Sequence, residues 1–499
     1  MVPTLSTFKR GSIQVQKAAK VVNDQIGSRQ VLAVFVITGF VLCGVVEQSA
    51  SVALRANSTS SYSAAEFAEY VENTSYITRY CQPPSDDQNL STSTVHVVRS
   101  IPHIEIPMTR TDETEAVLRQ AFMWGTLVSP LAASRIAARV GAERLFGAGV
   151  LGTGVVAVMV PASWLSACHV GIRFVQGIFM GATWPAAHML AVTWIKRKHI
   201  TGFISLYTAV NLGYAIVGIL GTMLVRKLGR DWLSYTIAMS TCVWYFLWWR
   251  FVEESLHPNR PKRDEHRNLP WRRLLMSKPA WACGIAVVGS QWADATLMLG
   301  VTKYLKLVYG FSIEYEDILQ SLPHIGHFFA AITFGIVVDH VRMSKIVSTT
   351  TSRKLFVYIS HFPPAALMFV LGYTGCDPAA PAALYTAALA MTGATPAGVY
   401  ASAADIAPNF AGTVFGLCQT VGAAGLLAAN YVVSEGLHGS FAGWWRLVFG
   451  VSSAVLLTTA TFFMAMGSGS VQDWNAPGDL VIGPEEPTQE PSRLESVLE

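Results

Sequence analysis

"EESLHPNRPKRDEHRNLPWRRLLMSKP" runs from Glu253 to Pro279. Its charges and prolines suit a hydrated linker, not a buried helix. The flanking sequence is the opposite. Before it, apolar runs occupy residues 31–54, 117–137, 146–166, 167–193, 201–225 and 231–252. After it come 281–305, 316–339, 353–374, 381–403, 410–433 and 444–466. A membrane-spanning helix needs about 20 mainly apolar residues. The runs are continuous rather than alternating, which excludes a closed β-barrel. The expected fold is an all-α membrane protein with twelve transmembrane helices, six on each side of the linker 253–280.

Composition agrees. The 499 residues are 52% hydrophobic and 14% charged, where a soluble chain would carry about 25% charged residues. The formal net charge is only +4, so the placement of Lys and Arg matters more than their sum. Arg139, Arg144, Lys196, Arg197, Lys198, the linker, Arg342, Lys345, Arg353 and Lys354 fall in alternate connections. Connections 375–380 and 434–443 hold none; residues 226–230 run against the trend. The bias places both termini in the cytoplasm. The N-tail 1–30 is polar, and the run after it is too long for a signal peptide. Residues 31–252 and 281–466 form the two six-helix bundles, and 467–499 is a Pro- and Glu-rich tail expected to be disordered.

Residues 55–116 make the one long outer loop. Asn57, Asn73 and Asn89 each begin an Asn-x-Ser/Thr sequon there, so the loop is expected to be glycosylated. Of the seven cysteines, Cys43, Cys168, Cys242, Cys283 and Cys418 lie in apolar spans and are expected to pack there. Cys81 and Cys376 lie in outer loops; whether they are bridged stays open.

Polar residues inside the spans are the candidate site. Glu47 lies about 24 Å along its helix from Val31. Gly44, Glu47, Gln48 and Ser51 share one face, which points to protein or water. A membrane-buried charge costs on the order of 2.5–3.5 kcal/mol, so it needs a partner or a function. A neutral glutamate bonding a neighbouring helix is the plainer reading. Arg173, with Gln176 on its face, offers a rigid donor fork for a carboxylate or phosphate; the plainer reading is a helix-end arginine reaching the surface. Asp294 shares a face with Ser290 and Gln291, and a helix–helix contact is its alternative. His188, and His324 with His327, can carry protons, though a buried histidine is more often structural. The Lys196–Lys198 cluster suits lipid headgroups, not nucleic acid.

The resemblance to a known family is specific. Six spans, a basic linker and six more is the arrangement of the major facilitator superfamily. "RFVQGIFMGATWPAAHMLAVTW" (Arg173–Trp194), "ESLHP" (Glu254–Pro258), "PWRRLL" (Pro270–Leu275), "YGFSI" (Tyr309–Ile313), "SLPH" (Ser321–His324), "DIAPNFAGTVFG" (Asp405–Gly416) and "QDW" (Gln472–Trp474) resemble the vesicular glutamate transporter, sialin and sodium–phosphate cotransporter family. That resemblance implies a cavity lined by spans one, four, seven and ten, alternating access, and coupling to protons, sodium or membrane potential. It implies an anion-recognising role for Arg173 and matches His188. Elsewhere the sequence departs from the pattern. Glu47 and Ser290 stand where the glutamate carriers have arginines, Met180 where they have a glutamate, and Ala138 where an acid is expected.

The expected function is secondary active transport of a small organic anion or zwitterion. Arg173, Glu47, Asp294, Ser290 and Gln176 would bind substrate, and Glu47, Asp294 and His188 would couple it to a proton or sodium. A non-transporting sensor or interaction protein is the alternative. Plasma, vesicular and lysosomal membranes all fit. No P-loop, Rossmann glycine pattern or GxSxG is present, so ATP-driven transport, hydrolase chemistry and a cofactor are not expected.

Overall fold

The computed structural model describes residues 29–54, 110–163, 167–253, 270–309, 313–374, 379–435 and 441–475. The helices are α1 Arg29–Leu54, α2 Arg110–Val140, α3 Ala142–Met159, α4 Ala167–Trp194, α5 Arg197–Leu228 and α6 230–253. The second half holds α7 278–309, α8 Ile313–Met343, α9 Thr349–Leu371, α10 379–406, α11 Ala411–Glu435 and α12 Phe441–Met466. Each apolar run has its helix. Among the described residues, eight helices are long and apolar enough to cross a membrane. Outward faces are apolar, with Trp124, Leu220, Met239, Phe246 and Phe329 all exposed, as a lipid-facing surface requires.

Several helices outrun their apolar segments. α2 starts at Arg110 and α8 has 31 residues, because a helix satisfies its own backbone groups whether or not its end is apolar. Residues 226–230, expected as a loop, are nearly all helical. α5 turns into α6 at Gly229, whose φ of 96° suits glycine.

The core follows the seam between the halves. At the end where the linker leaves, called here the linker end, one continuous cluster joins Phe146, Tyr207 and Trp248 of the first half to Val287, Tyr400 and Phe415 of the second. Toward the opposite end it divides. One cluster surrounds Val46, Val217 and Leu233, and another, joined by Met123, surrounds Leu297, Tyr304 and Trp445.

Two expectations are corrected. Cys43, Cys283 and Cys418 are buried, but Cys168 and Cys242 are exposed, because their helix faces point away from the bundle. The segment after Met466, expected to be disordered, is packed as far as Asn475. Gln472 N–H donates to the Ile406 carbonyl at 2.9 Å, Asn409 N–H donates to Asn475 Oδ1 at 3.0 Å, and Trp474 stacks on Phe410. Polar backbone pairing and an aromatic contact hold what composition alone marked as loose. The sequons at Asn57, Asn73 and Asn89, and Cys81 and Cys376, lie outside the described residues.

Candidate functional site

The site begins where α1 crosses α5. A Cβ on Gly44 would lie 2.1 Å from the Val210 carbonyl oxygen, and one on Gly213 2.2 Å from that of Val41. No side chain fits, so the two backbones touch. One turn further along α1, this contact brings Glu47 to Tyr214, whose hydroxyl donates to Glu47 Oε2 at 2.6 Å. The Glu47 side chain remains half-buried.

Arg173 reaches α1 as well, but not the carboxylate. Its Nη1 donates to the Val46 carbonyl at 3.0 Å and to Gln176 Oε1 at 3.0 Å, and its Nη2 donates to the Glu47 carbonyl at 2.9 Å. The residue is 3% exposed, and its guanidinium lies 5.6 Å from the Phe122 ring centre. The donor fork expected to be open to substrate therefore clamps α4 to the backbone of α1. Gln176 is fully buried and donates to the Thr153 carbonyl at 3.3 Å, linking the clamp to α3.

A second arginine stands nearby. Arg119 Nη2 donates to Ser51 Oγ at 2.8 Å and pairs with Glu115. Sequence reading passed over both. The signal was there: an acid and a base four residues apart on a spanning helix, facing the Ser51 end of the α1 polar stripe.

Across the seam, α7 presents Asp294. It is half-buried and takes no hydrogen bond or ion pair from the described residues. It lies within electrostatic reach of Glu47. Ser290 lies deeper, donating to the Ala286 carbonyl at 3.0 Å, with His361 Nε2 at 3.4 Å and Thr395 Oγ1 at 3.5 Å. Gln291 Nε2 donates to Gln419 Oε1 at 2.6 Å. That leaves Gln291 Oε1 buried with no partner among the described residues, while Gln419 Nε2 stands beside the Tyr400 hydroxyl.

The structure does not bring His188 to the carboxylates. Its ring is fully buried and stacks on Phe415, 4.1 Å between centres and 13° between planes. Neither ring nitrogen has a hydrogen-bond partner among the described residues. His324 is nearer. Its Nδ1 lies 2.8 Å from Asn211 Oδ1, and its ring meets Tyr214 edge-on at 5.3 Å. Because Asn211 uses its amide nitrogen to donate to the Thr208 carbonyl, His324 is the donor to Asn211. His327 faces the Leu389 carbonyl at 2.7 Å.

The linker end is fastened across the seam. Asp339 accepts from the N–H groups of Gly202 (2.7 Å) and Thr201 (3.3 Å) at the start of a helical turn in α5, where a carboxylate is favoured. Arg353 Nε donates to Asp405 Oδ2 at 2.7 Å and Nη1 to the Ala397 carbonyl at 2.7 Å. Arg342 pairs with both Asp339 and Asp405, at 3.8 and 3.6 Å. Sequence reading treated Arg342 and Arg353 as topology charges, yet Arg353 is fully buried. Beside this clasp lies a cavity of about 90 Å³ lined by Arg197, Arg342, Thr349, Asp405, Gly469 and Val471. It is separate from the carboxylates.

A sequence model of the Major Facilitator Superfamily matches residues 120–430. Sialin of Homo sapiens is 25% identical over 386 residues, 72% of this chain and 77% of that protein. Vesicular glutamate transporter 2 of Mus musculus is 26% identical over 392 residues, 73% of this chain and 66% of that one. Among solved structures, the proton:xylose symporter XylE bound to 6-bromo-6-deoxy-D-glucose is similar in fold, with a TM-score of 0.57 at 15% identity, covering 90% of this chain and 98% of that one.

Proposed function

Because the chain belongs to the Major Facilitator Superfamily, a family of membrane transporters, we propose that it is a secondary active carrier of a small organic anion or zwitterion, driven by a proton or sodium gradient. The observation that carries this reading is the pair of half-buried carboxylates, Glu47 on α1 and Asp294 on α7, one from each half and within electrostatic reach of one another. Carriers of this architecture bind substrate near the midplane, between repeats that rock against each other. A linker end fastened by Asp339, Arg342, Arg353 and Asp405, with a core that divides toward the other end, supports one state of such a cycle.

In this reading the clamp on Arg173 is state-dependent. As α1 moves, the guanidinium exchanges the Val46 and Glu47 carbonyls for the anionic group of a substrate. Glu47 and Asp294 carry the coupling proton or ion. Both termini lie in the cytoplasm, and the outer loop is glycosylated. The name of one similar protein, a vesicular glutamate transporter, supports an organic solute and a vesicular membrane, and a lysosomal or plasma membrane fits the same reading.

The test is uptake into proteoliposomes across a panel of organic anions and zwitterions, with pH, sodium and voltage gradients imposed separately. Glu47→Gln should abolish coupling while leaving exchange. Proton-driven uptake unchanged in that variant overturns the coupling role. A second reading, a non-transporting sensor, is favoured by the engagement of Arg173 with backbone rather than with open space. Saturable uptake of any solute excludes it.

A further inference from the structure

We infer that the seam between Glu47 and Asp294 seats a positively charged nitrogen, so that the solute bound here carries an amine. The inference rests on the carrier reading above only for the word "solute"; the binding site is argued from charge and geometry.

The acids come first. Glu47 receives one hydrogen bond, from Tyr214, and Asp294 receives none among the described residues. Neither has an ion-pair partner there. Ionised carboxylates held inside a membrane need a counter-charge. The nearby arginines supply only part of one. Arg119 is paired with Glu115, and Arg173 is directed at backbone carbonyls and Gln176. Among the described residues at this seam, Arg119 and Arg173 stand against Glu47, Glu115 and Asp294, three acids to two arginines.

The walls agree. Tyr214 flanks Glu47, and Tyr400 lies within electrostatic reach of Asp294. Trp184 meets Tyr400 edge-on at 6.2 Å. Aromatic faces attract cations, the more so when water is excluded.

The third observation is independent of charge. Gln291 Oε1 is buried with no hydrogen-bond partner among the described residues, and Gln419, 4% exposed, has its Nε2 beside the Tyr400 hydroxyl with a second N–H to give. Gln291 lies one helical turn from Asp294. A buried polar group left unmet is costly, and a ligand satisfies it here. A ligand N–H would donate to Gln291 Oε1 while its ammonium faces Asp294. An acceptor on the same ligand, such as the carboxylate of a zwitterion, would take the Gln419 N–H. An anion without an amine would gain that one donor and meet two carboxylates.

The test uses the purified full-length protein and two sets of matched probes. The first is phenethylamine, phenylalanine and 3-phenylpropionate; the second is butylamine, norvaline and pentanoate. Within each set the skeleton is kept while the amine, both charges or the carboxylate alone is presented. Binding is read as a rise in unfolding temperature and as saturable quenching of tryptophan fluorescence. Amine-bearing members should bind and the two deaminated acids should not. Glu47→Gln and Asp294→Asn should each weaken binding at least tenfold, and Asp294→Glu should restore most of it. Elution as a monodisperse peak shows that the variants are folded, and the wild-type comparison does not depend on them.

Binding by the deaminated acids alone, undiminished amine binding in the Glu47→Gln/Asp294→Asn double variant, or no binding by any amine overturns the inference. The two readings fail separately. Amine binding without uptake of any solute leaves the site standing and removes the carrier; uptake of the deaminated acids alone does the reverse.

Discussion

Arg353 and Thr201 meet across the seam between the two halves, with both Nη1 and Nη2 donating to Thr201 Oγ1 at 3.2 Å. Arg353 is buried, and the same guanidinium holds Asp405. Removing one partner of a buried pair costs about 3–5 kcal/mol, because the other charge is left uncompensated. Arg353→Ala should therefore loosen the linker end. The measurement is maleimide labelling of Ala404→Cys, which lines the cavity there, in a background with Cys81, Cys168, Cys242 and Cys376 replaced by Ser. The expected result is labelling at least several-fold faster. An unchanged rate shows that the clasp does not hold the end shut.

The α1–α5 crossing allows no side chain. Gly213→Val should abolish monodisperse folded protein in size-exclusion chromatography, since backbone would have to move to admit it. Gly171 has open space around it, so Gly171→Ala should be tolerated and is the control. Normal elution of Gly213→Val contradicts the backbone-to-backbone contact.

Arg173 distinguishes a clamp from a ligand anchor. Lysine keeps the charge but cannot serve the Val46, Glu47 and Gln176 oxygens together. Arg173→Lys should lower the unfolding temperature by several degrees even without solute. A variant with unaltered unfolding temperature and only a raised KM would assign the arginine to the substrate instead.

His188 makes the opposite prediction. A ring stacked on Phe415 without hydrogen bonds is replaced at little cost by an apolar ring of similar shape. His188→Phe should keep both stability and gradient-driven uptake, within about twofold for the latter. Loss of proton dependence in that variant alone would restore the histidine as a coupling group.

The twelve helices were legible because each must hide its backbone from lipid within one apolar run. Glu47 was legible for the same reason, as a carboxylate the surroundings cannot solvate. The direction of Arg173 was not. Its partner is a backbone carbonyl 126 residues away in sequence, and every residue has a carbonyl. Tyr214 was hidden because nothing in its neighbourhood marks it; only the Gly44–Gly213 contact brings it to Glu47. Arg353 looked like a loop charge, since its burial depends on α5 and α10 arriving beside it. Charge placement in sequence separates the ends of a bundle, but it does not tell a solvated arginine from one that joins two halves.

The packed segment that ends at Asn475 has a practical consequence. Gln472 and Asn475 grip the turn between α10 and α11, and Gly469 N–H donates to Thr350 Oγ1 at the start of α9. Anything fused directly after residue 475 is therefore attached at a point anchored to the second half. A truncation placed just after Met466, where hydropathy would put it, removes a strap that three helices share.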